Sequence, residues 1–270
     1  MRSEPDRYVA ATLSPPGLRA GLAAVAAFAG EIGRIPATVS EPMLGDIRLQ
    51  WWRDAIEGAA RGERTGHPVA EAIGAAVERH GLDRELLLSM IDARELDLSG
   101  GLAQDDAGLA AYLGATDGHP FRLALAILGV VGSEGADLAT HAGLAYGIAR
   151  GLSRMPMRIH NGAPVLTAER LKAHGLDPAR LADQPSSPDT EAAVEEVARE
   201  LRSVARQAVA EARQRARLLT RAQRSALLPL VMVEPYFKAQ SGCVLVRQMA
   251  DVGPLERFAR IGAAHLTGRL

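Results

Sequence analysis

Apolar residues recur at helical spacing through almost the whole chain, and no segment of useful length alternates apolar with polar residues. A repeat of three to four residues places apolar side chains on one face of an α-helix, whereas a half-buried strand needs a repeat of two. The chain has 270 residues, of which 47% are hydrophobic, and this is enough to build a single core. The pattern therefore predicts an all-α protein with one domain spanning residues 1–270.

Prolines and glycines mark the ends of the predicted helices. The segment from Leu109 to Val131 contains Gly114 and the sequence Gly118-His119-Pro120, so we expect this helix to be kinked or split. The predicted helices are, approximately, Leu18–Arg34, Leu44–Arg61, Val69–His80, Arg84–Leu98, Leu109–Val131, Asp137–Met155, Ala168–His174, Glu191–Leu219, Ala222–Ser241 and Pro254–Leu266.

Charge and composition exclude several classes of function. Lys and Arg number 31 against 32 Asp and Glu, so no net charge favours nucleic acid or anionic lipid. The single cysteine, Cys243, excludes an internal disulfide and a cysteine zinc cluster. The N-terminus carries Glu4 and Asp6 without an apolar core, unlike a secretory signal, and the apolar stretch at Leu123–Val131 is shorter than the ~20 residues of a membrane helix. We expect a soluble protein without a membrane span, cytoplasmic or peripheral at the inner face of the membrane.

Both tryptophans lie in one segment, Glu41–Asp54, although aromatic residues make up only 4% of the chain. Helical spacing places Trp51 and Trp52 near one buried seam, and such large rings stabilise a core strongly. The commoner interpretation is a core helix. The alternative is that Arg48 and Arg53, which flank the rings, face a cavity between helices.

Arg94 and Asp97 lie three residues apart on the apolar face of a predicted helix, whereas Asp92 points the opposite way. Two opposite charges at this spacing should form a pair, because an unpaired buried charge costs several kcal/mol. The pair is either structural or part of a polar cavity at the centre of a helix bundle, where ligands commonly bind.

Arg150 and Arg154 lie one turn apart, near the edge of the apolar side of another predicted helix. Two arginines at this spacing repel each other unless an anion or a carboxylate lies between them. Solvent-facing arginines are the commoner explanation.

A further basic run favours a solvated face, with a docking surface as the alternative; it comprises Arg213, Arg215, Arg217, Arg221 and Arg224.

Motifs of other chemistries are missing from the sequence. The seven histidines form no metal-ligand spacing such as HExxH, and neither GxSxG nor a P-loop occurs. Cys243 has no histidine or asparagine partner nearby in sequence, so it is better explained as a small core residue than as a nucleophile.

A series of short segments, in the same order along the chain, resembles the squalene/phytoene synthase family. The resemblance covers most of the chain and implies an isoprenoid-synthase-like helical bundle with a central cavity. The matching segments are Arg-Leu-x-x-Trp at Arg48–Trp52, His67-Pro68-Val69, Asp97-Leu98, Gly143-x-Ala145, Gly162 with Leu166, Glu169, Leu171 and Gly175, and Leu228-Pro229 through Tyr236.

The chain departs from this family at both aspartate-rich motifs, whose carboxylates hold Mg²⁺ in the synthases. At Phe28–Ala37, where the first motif is expected, the only acidic residue is Glu31. In the second motif the family's Gln, Asn, Arg and Asp correspond to Gly147, Arg150, Ser153 and Arg154, and Ala163 and Thr167 replace an Arg and a Pro of the next segment. Because an arginine stays protonated, Arg154 would repel Mg²⁺. We therefore predict no metal site and no cofactor, with Mg²⁺ needed only if the protein is a synthase.

The pattern is similar to the non-synthase branch of the family, to which a respiratory complex I assembly factor belongs, and the segment Ser40–Asp54 is closest to that branch. The resemblance implies an inactive synthase-like protein that acts as an assembly or chaperone-like factor, with a respiratory-complex subunit as its partner. Two alternatives are a module that binds a prenyl or lipid-like ligand, and a prenyltransferase whose arginines hold the diphosphate. The candidate pocket residues are Glu31, Arg34, Arg48, Arg94, Asp97, Arg150 and Arg154.

Overall fold

The computed structural model describes residues 4–39, 41–160, 165–183 and 187–270. Three residues used in the family resemblance, Ser40, Gly162 and Ala163, lie outside these ranges. The described residues contain no strand, only an isolated bridge between Ala103 and Thr167, so the all-α prediction is confirmed.

Most of the described helices follow one another with short connections, and a longer one, residues 241–253, precedes the last helix. A 3₁₀ turn (Pro16–Leu18), a π-helical turn (Gly114–Gly118) and a 3₁₀ segment (Ser225–Met232) lie between them. The α-helices are α1 Pro5–Leu13, α2 Arg19–Thr38, α3 Pro42–Ala60, α4 Pro68–His80, α5 Arg84–Asp92, α6 Arg94–Leu98, α7 Asp106–Leu113, α8 His119–Ile127, α9 Gly132–Ser153, α10 Met155–His160, α11 Ala168–Ala173, α12 Pro178–Asp183, α13 Pro188–Ala216, α14 Arg221–Arg224, α15 Val233–Gln240 and α16 Pro254–Thr267.

Helix α9 runs through the centre of the bundle and packs against α8, α13, α15 and the π-helical turn. Its side chains from Leu138 to Leu152 include many fully buried alanines and leucines. Small residues allow neighbouring helices to approach closely, and Gly143 is the clearest case. A Cβ at Gly143 would lie 2.5 Å from the backbone nitrogen of Gly118, so only glycine lets the π-helical turn pack here.

Several helices differ from the sequence predictions. Helix α1 was not predicted. The expected helix at Arg84–Leu98 breaks at Ala93 into α5 and α6, and α2 continues past Pro36 for two residues to Thr38. A proline this close to a helix end interrupts few hydrogen bonds. The predicted split of Leu109–Val131 is confirmed, since the π-helical turn separates α7 from α8.

The two tryptophans have different environments. The indole of Trp52 is buried and packs edge-on against Phe28, with 5.4 Å between ring centroids. Trp51, however, is 39% exposed, so the prediction of a buried ring is confirmed for Trp52 and wrong for Trp51. The alternative in which Arg53 faces a cavity is also wrong, because Arg53 forms salt bridges with Asp92 and Glu95 at the surface.

One segment of the described chain, Pro16–Thr38, is long and apolar enough to cross a membrane by length and composition alone. Of its most apolar window, 56% is buried inside the bundle, where Phe28 and Ile32 are inaccessible to solvent. A core helix passes the same test, so this segment is weak evidence for a span. The expected absence of a membrane span stays a prediction.

Candidate functional site

A cavity of about 360 Å³ opens between α2, α6, α9, α10 and the segment that precedes α16. Its lining is strongly charged and contains more cations than anions. The charged side chains are those of Arg34, Arg94, Arg150, Arg154 and Arg158, together with Glu4, Asp97 and Asp251.

The structure brings five of the seven predicted pocket residues to this cavity. Glu31 and Arg48 instead line a separate outer pocket of about 430 Å³ beside Trp51 and Trp52. Arg34 borders both spaces and forms a salt bridge of 2.5 Å with Glu31. The residues at the central cavity are Arg34, Arg94, Asp97, Arg150 and Arg154.

Arg94 and Asp97 form the predicted pair, with 3.0 Å between Nη1 and Oδ2, and both side chains are buried. The hydroxyl of Tyr112 donates a hydrogen bond of 2.6 Å to the other carboxylate oxygen of Asp97. Arg158 lies 3.8 Å from this oxygen and donates to the Tyr112 hydroxyl at 3.1 Å. Burial would lower the pKa of Arg94, but Tyr112 and Asp97 raise it overall. The pair therefore stays charged within a hydrogen-bonded network.

A second network joins the N-terminus of α1 to the C-terminal part of α9. Glu4 Oε2 accepts hydrogen bonds from Arg7 at 2.7 Å and from Arg150 at 2.6 Å. Burial alone would raise the pKa of Glu4, but the charges of Arg150 and Arg7 outweigh it and lower this pKa to about 2. The more common explanation of Arg150, a solvent-facing side chain, is therefore wrong.

Asp117 belongs to the same network and was missed in the sequence. Its carboxylate lies 3.3 Å from Arg150, and its backbone carbonyl accepts a hydrogen bond from Arg7 at 2.7 Å. The π-helical turn carries Asp117 towards α9, where a Cβ at Gly147 would lie only 3.1 Å from Asp117 Oδ2. π-Helical turns often occur at functional sites. The sequence offered one signal for this residue, because Asp117 is the single aspartate in the apolar segment Leu109–Val131.

Asp6 is the most buried acid of this region, with no exposed surface. It accepts hydrogen bonds from the hydroxyls of Tyr146 at 2.8 Å and Tyr236 at 2.7 Å, and it pairs with Arg257. Burial, together with the nearby charge of Asp6, raises the pKa of Tyr146 well above its usual value. Asp6 thus fastens α1 to α9, α15 and α16, and it does not line the cavity.

The donor set of the cavity does not fit a divalent cation. Among the described residues, no three His, Cys, Asp or Glu side chains lie together as metal ligands. Each carboxylate that lines the cavity forms a salt bridge with an arginine. Magnesium prefers carboxylate oxygens in an open octahedral site, whereas an excess of guanidinium groups suits an anion.

A sequence profile described as Squalene/phytoene synthase matches residues 1–239. The chain belongs to the squalene/phytoene synthase family. Solved structures share its fold: a dehydrosqualene synthase in complex with ligand has a TM-score of 0.75 at 14% identity, covering 98% of this chain and 93% of that chain. The squalene synthase HpnC from Alicyclobacillus acidocaldarius has a TM-score of 0.68 at 17% identity, covering 96% and 88%. The predicted isoprenoid-synthase-like bundle is confirmed.

Curated relatives within this family carry the name "NADH dehydrogenase (ubiquinone) complex I, assembly factor 6". The rat protein is 30% identical over 171 residues, which cover 63% of this chain and 51% of the relative. The human protein is 28% identical over the same coverage, and the Drosophila melanogaster homolog is 27% identical over 182 residues, covering 65% and 54%. The chain spans about half the length of these relatives. The predicted similarity to the non-synthase branch is confirmed.

Proposed function

We propose that this protein is an assembly or chaperone-like factor for respiratory complex I, and that it does not act as a prenyl synthase. The similarity to proteins named complex I assembly factor 6 supports the assembly role. The observation that supports the absence of synthase activity is the pairing of Glu4 with Arg150. Arg150 lies in the segment that corresponds to the second aspartate-rich motif, and it engages Glu4, one of the few carboxylates that line the cavity.

Chemistry at the cavity supports this proposal. Departure of a diphosphate develops strong negative charge, which the synthases stabilise with metal ions held by carboxylates. Here Arg150 lies in the last turn of α9, and Arg154 follows one turn later at the C-cap of this helix. The positive charge of Arg150 is the main cause that lowers the pKa of Arg154. This concentration of cations attracts an anion and repels Mg²⁺.

A ligand-binding role is the second candidate, and the cavity favours it. A space of about 360 Å³ lined by five guanidinium groups and by apolar side chains such as Ala29 and Met157 suits a prenyl or lipid-like molecule with an anionic head. We propose that such a ligand, where bound, supports the assembly function. We also propose a cytoplasmic location with peripheral association at the inner face of the membrane.

The assembly role is tested by deleting the gene in the host organism and separating its membrane complexes on native gels. We expect less assembled complex I and lower NADH:quinone activity, with unchanged succinate dehydrogenase and unchanged levels of squalene and carotenoid products. Re-expression of the wild-type chain should restore complex I. Normal complex I together with a loss of an isoprenoid product would instead support the synthase alternative.

The ligand-binding candidate is tested on the purified protein with farnesyl diphosphate and inorganic pyrophosphate in calorimetry without metal. We expect binding that weakens at least tenfold in Arg34→Gln, since a charge-assisted hydrogen bond contributes about 1.5–3 kcal/mol. Arg48→Gln is the matched control, because Arg48 lines the outer pocket and is not among the residues that line the central cavity. Equal affinity of both variants would exclude the central cavity as the site.

A further inference from the structure

The outward face of α16 is apolar along its whole length. Helix α16 buries Arg257, Ile261 and Ala264 against α1 and the 3₁₀ segment Ser225–Met232. On the opposite side, Leu255 is 86%, Phe258 58% and Leu266 73% exposed. At 100° per residue, the residues between them on this side are Ala259, Gly262 and Ala263. No polar side chain interrupts this outward face.

Basic residues surround the C-terminal end of this helix. Arg221 donates hydrogen bonds to the carbonyls of His265 and Leu266, and Arg224 donates to the carbonyl of Gly268. Arg224 also donates to the carbonyls of Ala216 and Arg217 at the end of α13, so this end, with exposed Arg217, lies beside the end of α16, and Arg213 is exposed one turn earlier on α13. The C-terminal part of the basic run therefore lies next to the end of α16 that carries the exposed Leu266.

Exposed apolar surface continues at the same end of the molecule. Leu218, in the turn that follows α13, is 85% exposed, and Arg224 bonds the carbonyl of its neighbour Arg217. The nearby acids are neutralised, since Glu211 pairs with Arg215 and Glu256 with Arg260. This end of the molecule combines unpartnered apolar side chains with an excess of positive charge.

We propose that the outward face of α16 binds the surface of an anionic lipid bilayer, with Leu255, Phe258 and Leu266 entering the boundary between headgroups and acyl chains. A helix with one apolar face and cationic neighbours lies in the plane of the interface, and its binding grows with buried apolar area and with attraction to anionic lipid. This inference rests on the peripheral location proposed above and assigns it to a surface. It can fail while the assembly role stands, since vesicle binding and complex I content are measured separately.

Charge and area favour a bilayer over a second copy of the chain. A helix of 14 residues is about 21 Å long, so one face of it offers on the order of 200 Å². A stable protein interface needs about 800 Å² from each partner. A bilayer has no such threshold, because each inserted side chain and each nearby arginine contributes independently.

The test is cosedimentation of the purified full chain with vesicles of phosphatidylcholine alone or mixed with phosphatidylglycerol. We expect binding to the anionic vesicles, reduced at least tenfold in a Leu255→Ser, Phe258→Ser, Leu266→Ser variant. The matched control is Met43→Ser, Leu44→Ser, Ile47→Ser, which removes three exposed apolar side chains from α3 and should bind like the wild type. Arg213→Gln and Arg217→Gln should each weaken binding about fivefold, an effect that salt removes.

A second measurement places the helix at the membrane directly. Phe258→Cys in a Cys243→Ser background, labelled with an environment-sensitive fluorophore, should shift to shorter wavelength on anionic vesicles, while a label at Ile47→Cys should not. Absence of wild-type binding, or equal binding by the α16 and α3 triple variants, would overturn the proposal. So would a dimer in sedimentation that the α16 variant dissociates, because the face would then belong to a second copy.

Discussion

Glu4 Oε2 and Arg150 Nη1 lie 2.6 Å apart, although 146 residues separate them in the chain. The contact joins the start of α1 to the C-terminal part of α9, in the segment that corresponds to the second aspartate-rich motif of the family. A charge that could have helped to hold a cation is thus used to neutralise an arginine. The same contact makes the stability of the bundle dependent on pH.

We predict that Glu4 makes the protein acid-sensitive over a defined range. The pKa of Glu4 falls from 4.5 to about 2 on folding, so the unfolded state binds more protons than the folded state between these values. Stability from this group is complete above pH 4.5 and is lost as the pH falls towards about 2. The linked free energy is roughly 3 kcal/mol.

Urea unfolding of the wild type and Glu4→Gln at several pH values measures this contribution of Glu4 to the free energy of unfolding. Glu4→Gln should be less stable at neutral pH, and the difference from the wild type should shrink as the pH falls. Glu63→Gln is the control, because Glu63 is an exposed acid paired with Arg61. Parallel pH curves for the wild type and Glu4→Gln would contradict the prediction.

We predict that Asp97→Asn destabilises the protein by about 3 kcal/mol, because it leaves Arg94 buried without its carboxylate. Asp92→Asn is the matched control: Asp92 also pairs with an arginine, but its side chain is 59% exposed, and such pairs contribute about 0–1 kcal/mol. Chemical denaturation gives both values. A loss below about 0.5 kcal/mol for Asp97→Asn would show that water reaches this pair.

We predict that Gly143→Ala lowers the free energy of unfolding by about 2–3 kcal/mol. Its Cβ would meet the backbone of Gly118, which cannot move without displacing the π-helical turn. The control is Gly262→Ala in α16, where nothing lies within 4 Å of the added carbon and alanine should stabilise the helix by up to about 1 kcal/mol. Equal melting temperatures for the two variants would show that α9 tolerates the added methyl group.

Local spacing predicted the helical class and the Arg94–Asp97 pair, because both depend on residues within one or two turns. It could not predict that Glu4 and Asp6 are buried. Acids near an N-terminus are usually solvated, and the partners that bury these two, such as Arg150 and Tyr236, are distant in sequence. The prediction that Trp51 is buried was wrong for a related reason. A helical repeat shows which side chains share a face, but it does not show whether another element covers them.

The last prediction concerns chemistry: the purified protein will release no pyrophosphate from farnesyl or geranylgeranyl diphosphate, with or without Mg²⁺. Ionisation of an allylic diphosphate needs its developing charge to be stabilised in the transition state. Arginines hold a diphosphate in the ground state, but those lining this cavity cannot gather divalent ions around it. Asp97 is held by Arg94 and Tyr112, and Glu4 by Arg7 and Arg150, so neither carboxylate is available to a metal. A pyrophosphate release assay checks this, with an active family synthase as the positive control. Mg²⁺-dependent release that Glu31→Gln or Asp97→Asn abolishes, while both variants remain folded, would instead establish a prenyltransferase.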